Sequence, residues 1–476
     1  MTPSEKIAGW REGLVLLALG LALFLPAACA AEFLNFDDDF FFGARNQAFV
    51  AGGVAHLLDP TATIANAYLP VSHLSLYADW CLFGTNPIGA HVHSLLLHVL
   101  GAFVLARLLG RLGVGRVGAT LVAAVFLAHP ALVESVAWVA SRKDVLAGLF
   151  SFLCLSAVAR VANGEPRQRW WAIAFAVLAL YSKATTVVLP LVATLILWRA
   201  KPRRIGLIAG LFGVTLLAGL HHTVIAASEG TLVTQGMGTR ASHVPGVFWH
   251  YFCTTIWPFD LNVLYPEVLT HASFGADLWP GVMLVVGIAV VVVAFRRRRP
   301  WLAAGLAVWS IALLPFNTAL PASAAAAADR YLYLAIPGAA LALLGLGPKL
   351  GRVALAAALV LGVLGTSSRV RDFETSESLW SASLRSEPRN SVAHFNLAVA
   401  VLQRDPTALT PAEESLEAAV RVARMPQHRL HPELQLASVC ESDGRVDAAL
   451  EHMARAVEAI DELHGGPAVA AKRLDV

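Results

Sequence analysis

Length, composition and charge exclude most classes of protein for this chain. Its 476 residues are 57% hydrophobic and 14% charged, whereas an ordinary soluble domain has about 25% charged residues. The mean hydropathy is +0.62 and the formal net charge is only +3. Composition therefore predicts a polytopic membrane protein without a nucleic-acid partner. Five scattered cysteines without a CxxC pair predict neither a disulfide framework nor a zinc site.

Apolar runs predict about eleven membrane-spanning segments. The first, residues 13–30, ends in Ala28-Cys29-Ala30, which leaves open a cleaved signal peptide, although the many later runs favour a retained span. The other predicted spans are 91–110, 117–129, 144–161, 170–181, 185–199, 205–221, 279–295, 301–314, 331–346 and 353–367. The apolar segment 244–259 is interrupted by Pro258, and we interpret it as an interfacial or re-entrant helix.

Lysine and arginine in the short loops predict the orientation. Cytoplasmic loops of membrane proteins carry an excess of these residues. With the proposed spans, five basic loops fall on the same side as the N-terminus: 107–116, 164–169, 198–204, 295–300 and 347–352. This side is expected to be cytoplasmic in a bacterial inner membrane. The opposite, extracytoplasmic side then receives loop 31–90, segment 129–144, segment 181–186, residues 222–278, residues 315–330 and everything after 368.

The C-terminal part predicts a separate helical domain. We place the boundary between a membrane domain, 1–368, and an extracytoplasmic domain, 369–476. Segments 391–405 with 411–425, and 431–445 with 446–460, have the periodicity of two antiparallel helix pairs. Their spacing resembles two tetratricopeptide repeats with a small insertion, and either the helix that contains Trp380 or the membrane domain is expected to cap them. An unrelated four-helix tail is the alternative.

Charged residues converge on the predicted outer face from loops that are distant in sequence. A carboxylate there can take the proton of an attacking hydroxyl, and nearby cations can bind a phosphate group. The stretch "FLNFDDDFFF" supplies adjacent acids directly after the first apolar run. This combination predicts group transfer from a phosphate-linked donor. The basic candidates for a phosphate site are Arg142, Lys143, Lys183 and Arg330.

Each of these features also has a simpler interpretation. Asp37, Asp38 and Asp39 have the pattern of a solvated acidic cap. Glu134 with Arg142 or Lys143 has the pattern of an interfacial ion pair. The histidines 91, 93 and 98 resemble metal ligands, but residues two apart do not share a helix face, so packing or hydrogen bonding is favoured. A divalent metal between the acids stays an open alternative.

Several long segments resemble one family. They are "FLNFDDDFFFGARNQAF", "YLPVSHLSLYADWCLFGTNPIGAHVHSLLLHVL", "HPALVESVAWVASRKDVLAGLFSFLCL", "YSKATTVVLPLVATLILW", "IWPFDLNVLYP" and "ADRYLYLAIPG". In this order they resemble the bacterial relatives of the transmembrane and tetratricopeptide-repeat-containing O-mannosyltransferases, which are GT-C superfamily membrane glycosyltransferases. The resemblance implies an all-α fold, a polyprenyl-phosphate-linked sugar as donor, and transfer on the outer face, often to Ser or Thr of proteins.

The resemblance also implies roles for individual residues. Asp37 matches the acidic residue of the first outer loop, which is the expected base, and Asp38 and Glu134 accompany it as catalytic candidates. The donor phosphate is expected to contact the four basic residues named above. Supporting roles are implied for His73, Asp144, Asp329 and Tyr331. The chain departs from the family at His93 and His73, and its repeat array is very short.

Two other functions compete with the glycosyltransferase hypothesis. A membrane-anchored repeat scaffold that binds a periplasmic partner would tolerate substitution of the outer acids. A transporter or flippase for a lipid-linked sugar would carry ionisable residues deep inside its spans and would have two repeated halves, and the sequence shows few of the former and no obvious halves. The enzyme is the favoured hypothesis, with a protein or peptide acceptor and the bilayer as its other partners.

Overall fold

A computed structural model describes residues 7–198, 204–231, 237–265, 277–316 and 327–463. Most of the basic loop 198–204, namely residues 199–203, lies outside these ranges. The chain divides into two compact units, Met1–Phe373 and Glu374–Val476. Each unit is described by itself below.

Regular structure in the described ranges is helical, apart from one isolated bridge between Ile64 and Ala67. This agrees with the predicted all-α class. The α-helices of the first unit are Trp10–Ala30, Asp39–Phe42, Gln47–Leu58, Pro70–Phe83, Pro87–Arg111, Arg116–Leu127, Val133–Ala137, Arg142–Ala162, Gln168–Leu180, Leu189–Leu197, Ile205–Ser228, Met237–Ile256, Leu278–Phe295, Pro300–Ala312, Ile336–Leu344 and Leu350–Arg369.

Six helical segments of the described chain are long and apolar enough to cross a bilayer: Trp10–Ala30, Pro87–Arg111, Val139–Ala162, Ile205–Ser228, Leu278–Phe295 and Leu350–Phe373. A seventh span results if Arg116–Leu127 and Pro130–Ala137, which meet at 57°, are counted as one broken span. Shorter apolar helices occupy the other predicted spans, for example Gln168–Leu180 and Pro300–Phe316. The chain therefore has the helices of a multi-pass membrane protein, and the number eleven stays a prediction.

The first helix is packed against another helix of the same unit. Trp10–Ala30 packs against Pro87–Arg111, with Leu16 and Phe24 buried, which favours a retained helix over a cleaved leader.

The interrupted segment belongs to helix Met237–Ile256, which ends before Pro258. Proline lacks an N–H donor and cannot continue the helix.

The helix Arg142–Ala162 lies at the centre of the first unit. In the most apolar 18-residue stretch of Val139–Ala162, 78% of the residues are buried. The helix packs against Pro87–Arg111 and Gln168–Leu180. Its first three residues are Arg142, Lys143 and Asp144. The two buried members of this triplet, Arg142 and Asp144, need partners inside the protein, because unpaired buried charges are costly.

Four short 3-10 helices carry or border most of the candidate residues. They are Pro130–Leu132, Val139–Ser141, Ala184–Val188 and Asp329–Leu332. Irregular backbone at the ends of membrane helices is tolerated where protein or a polar cavity satisfies its polar groups. Pro130–Leu132 packs against Asp329–Leu332, so these turns bring together segments that are far apart in sequence.

The described part of the second unit, up to Leu463, has five helices: Ser376–Ser386, Ser391–Arg404, Leu409–Val422, Pro426–Ser442 and Val446–Leu463. Each packs against the next, around a core of Ala398, Ala412, Leu416, Leu436 and Val439. The two expected helix pairs and the helix with Trp380 are present. Their assignment as tetratricopeptide repeats stays a prediction.

Candidate active site

The three consecutive aspartates have three different environments. Asp38 is fully buried, and its carboxylate accepts hydrogen bonds from the backbone N–H groups of Leu34 at 2.9 Å and Ala140 at 2.7 Å. Asp39 forms an ion pair with Arg45 at the surface. Asp37 is half-buried, and its carboxylate has no hydrogen bond to any part of the chain that the structure describes. Of the three acids, Asp37 is the one that is available to a substrate.

Asp38 joins the first loop to the turn Val139–Ser141. One of its two hydrogen-bond partners, Leu34, lies four residues away in the sequence, and the other, Ala140, lies 102 residues away. The carboxylate therefore holds two distant segments together. Burial raises the pKa of Asp38 to about 7, although both backbone N–H groups act in the opposite direction. Both oxygens are occupied by the protein, and this geometry favours a positioning role over the predicted catalytic one.

The backbone at Asp37 is in the left-handed region, with φ of 67°. Non-glycine residues adopt this conformation at a cost, and Asp and Asn tolerate it better than other residues. The carbonyl of Asp37 accepts a hydrogen bond from the N–H of Phe40 at 3.1 Å. Because of this tight turn, the side chain of Asp37 points in a different direction from those of its neighbours Asp38 and Asp39.

The second triplet, Arg142-Lys143-Asp144, is divided in the same way. Arg142 is fully buried and forms an ion pair with Asp79. Asp144 forms an ion pair with Lys183 at 2.5 Å and accepts a hydrogen bond from Ser141 Oγ at 3.0 Å. The Lys143 amine has neither a hydrogen bond nor an ion pair among the described residues. It lies 5.4 Å from the centroid of a Trp138 ring.

Charged residues from several segments of the chain surround Lys143. The charges of Asp37, Arg330, Asp144 and Glu134 all act on its amine. Asp37 and Lys143 also line one small cavity of about 30 Å³, together with His73 and Ser72. The structure therefore brings the acid Asp37 and the cation Lys143 to the same cavity.

The remaining walls of this cavity are mostly apolar. His73 is buried and lies with its ring centroid 5.6 Å from that of Phe41. Burial lowers the pKa of His73 to about 3, with the positive charge of Lys143 acting in the same direction, so its imidazole is neutral. A neutral, fixed side chain beside Asp37 agrees with the supporting role predicted for His73.

Glu134 and Arg330 form a buried pair through two contacts. The guanidinium of Arg330 donates to Oε1 of Glu134, and the backbone N–H of Arg330 donates to Oε2 at 3.0 Å. Burial acts to lower the pKa of Arg330, but the charges of Glu134, Tyr331 and Asp144, together with the hydrogen bond to Glu134, outweigh it and raise this pKa above its ordinary value. Because both oxygens of Glu134 are occupied, the structure favours a role in holding Arg330 over catalysis.

Lys183 is held between Asp144 and the ring of Tyr331. Its amine lies 5.3 Å from the Tyr331 centroid, and Tyr331 in turn stacks on Phe316 at 3.9 Å. Burial lowers the pKa of Lys183 to about 8, Asp144 opposes this change, and Arg330 and Lys143 reinforce it. A lysine with this pKa is still mostly protonated at neutral pH, but it loses its charge at mildly alkaline pH.

Asp329 anchors the turn that presents Arg330. It accepts a hydrogen bond from the Tyr265 hydroxyl at 2.5 Å and lies 3.6 Å from the guanidinium of Arg369. Burial raises the pKa of Asp329, while the charge of Arg369 acts against this change. The supporting role of Asp329 in the reaction stays a prediction. The sequence-based set did not contain Tyr265 or Arg369, because nothing local marks them as partners of this turn.

Arg142 does not reach the cavity that Asp37 and Lys143 share. Besides Asp79, its guanidinium donates to Ser94 Oγ at 3.0 Å and to the carbonyl of Ala90 at 2.7 Å. Asp79 also contacts Nδ1 of His93 at 2.7 Å. The donor groups of Arg142 are taken by the protein, so the geometry favours a structural role over the predicted phosphate binding. A buried arginine requires a buried acid, and this requirement alone could have drawn attention to Asp79.

An apolar groove of about 600 Å³ borders this region. Val188 and Leu334 line it. Val188 closes the 3-10 helix that begins directly after Lys183, and Leu334 follows the turn that carries Arg330. Further along, the groove is walled by Leu105, Phe152, Leu155, Val192, Ala307, Pro337 and Leu341, and it reaches Trp198, Arg296, Pro300 and Trp301. The segments that carry Lys183 and Arg330 therefore adjoin residues that line this apolar groove.

The structure gives no support for a metal site within its described ranges, where no group of three His, Cys, Asp or Glu side chains could hold an ion. The three histidines of the Pro87–Arg111 helix have separate partners. His91 contacts the carbonyl of Glu32, His93 contacts Asp79, and His98 contacts the Tyr333 hydroxyl.

Comparisons with known proteins leave the family open. No family model matches the sequence, and no curated protein matches it. The crystal structure of ArnT from Cupriavidus metallidurans bound to undecaprenyl phosphate is similar with a TM-score of 0.40 and 16% sequence identity, over 95% of this chain and 76% of that one. At this TM-score the similarity carries no argument about fold or function.

Proposed function

We propose that this chain is a membrane glycosyltransferase of the GT-C type, which moves a sugar from a polyprenyl-phosphate donor to an acceptor hydroxyl. One observation carries the proposal. Asp37 and Lys143, which have no hydrogen bond or ion pair among the described residues, share one cavity, and the charges of Lys183 and Arg330 lie close enough to act on the same cluster. A base opposite several cations suits the transfer of a group away from phosphate.

The proposed reaction assigns different roles to the two sides of the cluster. The acceptor O–H gives its proton to the Asp37 carboxylate while its oxygen forms a bond to the anomeric carbon. The bond between that carbon and the phosphate oxygen breaks, and polyprenyl phosphate leaves with the bonding electrons. Lys143, Lys183 and Arg330 stabilise the charge that develops on this phosphate. Asp38, Glu134, Arg142, Asp144 and Asp329 hold the segments in place.

The apolar groove supplies a place for the lipid of the donor. A pocket of several hundred cubic ångströms with few polar groups is typical of sites for apolar ligands. Its end at Val188 and Leu334 borders the segments that carry Lys183 and Arg330. A polyprenyl chain in this groove would place its phosphate near these cations.

The orientation and the acceptor belong to the same proposal. The basic loops place the N-terminus in the cytoplasm and the cluster at the outer face of a bacterial inner membrane. A protein Ser or Thr hydroxyl is the proposed acceptor, and the helical domain 369–476, tetratricopeptide-like in its proposed organisation, would bind the acceptor protein. In that unit the terminal helix exposes Val446, Leu450, Met453 and Val457 in one stripe, which suits contact with a polypeptide.

The purified full-length chain provides the direct test. It is incubated with a panel of polyprenyl-phosphate sugars and a peptide pool, and the products are read by mass spectrometry. A mass increment of one hexose or related sugar on a peptide, together with released polyprenyl phosphate, supports the proposal. If the donor lipids stay intact with the wild-type chain while peptides bind to the 391–460 region, the alternative of a non-enzymatic repeat scaffold is favoured.

A further inference from the structure

A second cavity lies at the other end of the apolar groove. It has a volume of about 910 Å³ and is lined by residues from three segments, including Val114, Gly118, Phe295, Leu344 and Pro348. Four arginines, Arg116, Arg298, Arg299 and Arg352, also line it, and its lining contains no aspartate or glutamate. We call it the arginine cavity. It belongs to the predicted cytoplasmic side and is separate from the cluster around Lys143.

The four arginines fall into two pairs. Arg299 donates to the carbonyl of Leu346, and Arg116 lies 3.5 Å from a carboxylate oxygen of Glu12, so these two are anchored to the protein. Arg298 and Arg352 are exposed and have no hydrogen bond or ion pair within the described part of the chain. Several guanidinium groups without a counter-ion create a positive potential that an anion relieves, and arginine binds phosphate through two parallel hydrogen bonds.

The arginine cavity and the apolar groove share two lining residues. Pro300 and Trp301 line both of them, and Arg296 lies at the same end of the groove. The helix Leu189–Leu197 lies between Val188 and this part of the groove. At 1.5 Å per residue the helix is about 14 Å long, and this length separates the two parts of the groove. A ligand that fills both spaces must combine a phosphate group with an apolar chain.

We propose that the arginine cavity binds the phosphate group of an anionic membrane lipid whose chain enters the groove from the cytoplasmic side. Arg298 and Arg352 contact the phosphate, and Trp301 lies at the boundary between headgroup and chain. Basic clusters beside membrane helices attract anionic lipids in general. The lining residues that this cavity shares with the groove distinguish the site from general attraction. This lipid chain would enter the groove that also holds the donor chain in the proposed function, but its phosphate site is separate from Lys143, Lys183 and Arg330, and its test measures lipid binding and not glycosyl transfer.

The test measures lipid binding to the purified full-length chain by native mass spectrometry. Phosphatidylglycerol is titrated against phosphatidylcholine, and glycerol 3-phosphate and inorganic phosphate serve as probes without a chain. The wild type should retain phosphatidylglycerol in preference to phosphatidylcholine. The double variant Arg298→Gln/Arg352→Gln should lose about tenfold in affinity for phosphatidylglycerol, as expected for the loss of charge-assisted hydrogen bonds.

The matched control is Arg167→Gln/Arg169→Gln, which removes two exposed arginines of another basic loop that line neither space. It should bind phosphatidylglycerol like the wild type. Equal losses in both double variants, or wild-type binding by Arg298→Gln/Arg352→Gln, would overturn the proposal. If inorganic phosphate or glycerol 3-phosphate displaces the lipid completely at millimolar concentration, the site serves a soluble phosphate and the lipid assignment fails. Melting curves of each variant show whether the fold is retained.

Discussion

Arg330 lies 196 residues after Glu134 in the sequence, yet its side chain and its backbone N–H both donate to the carboxylate of that residue. This pair fixes the turn Asp329–Leu332 against the segment Val133–Ala137. The arrangement places Arg330 with its guanidinium 5.3 Å from the centroids of Trp138 and Tyr331. The cluster of outer charges thus depends on a long-range contact.

Substitution of Glu134 should therefore impair both stability and transfer. Glu134→Gln leaves the buried guanidinium of Arg330 without a counter-charge, which costs about 3–5 kcal/mol when one partner of a buried pair is removed. We expect a lower melting temperature in detergent and reduced transfer. Arg330→Lys should lose activity with a smaller effect on stability, because the charge remains and the geometry does not. Wild-type melting of Glu134→Gln would contradict this account of the pair.

Asp37→Asn should remove most of the transfer activity without unfolding the chain. Asn keeps the shape and tolerates the left-handed backbone at this position, but it cannot accept the proton, and one general base contributes about 10²–10⁴-fold. Asp39→Asn, at the surface beside Arg45, is the matched control and should retain activity. Initial rates with a polyprenyl-phosphate sugar measure both. Normal rates for Asp37→Asn would refute the role of Asp37.

Asp38→Asn should behave in the opposite way, with a loss of stability as its main effect. The amide can accept only one of the two backbone N–H groups that Asp38 binds, and its NH₂ faces the other donor. An unsatisfied buried donor costs about 1–3 kcal/mol. We expect earlier melting, and faster proteolysis of the loop around Leu34. An Asp38→Asn protein that melts like the wild type but does not transfer would restore the predicted catalytic role.

Arg142 and Asp79 should show strong coupling in a double-mutant cycle. Either Arg142→Met or Asp79→Asn leaves one buried charge unpaired, whereas the double variant removes both charges. The double variant should then be less destabilised than the sum of the single variants, by about 1–3 kcal/mol. Denaturation of the four proteins in one detergent gives this number. Additive effects would indicate that Arg142 acts elsewhere, for example on the donor phosphate.

The charge of Lys183 predicts a pH limit for donor binding. A lysine is protonated below its pKa and neutral above it, and burial has lowered this pKa to about 8. Donor affinity should be retained below pH 8 and fall by up to about tenfold per unit above it. Lys183→Arg keeps its charge throughout this range and should move the decline to higher pH. Binding of a polyprenyl-phosphate sugar, measured between pH 6.5 and 9.5, tests the prediction, and identical profiles for the two proteins would exclude Lys183 as its source.

The sequence by itself determined the helical class, the approximate position of the long apolar helices and the set of charged segments, because hydropathy and charge act locally along the chain. It could not decide which member of each triplet meets a substrate. Successive residues of a helix point about 100° apart, so Arg142, Lys143 and Asp144 face a buried acid, a cavity and Lys183 respectively. Tertiary packing alone made that choice, and it also selected distant partners such as Asp79 and Tyr265, since buried charges take whichever counter-groups the fold brings beside them.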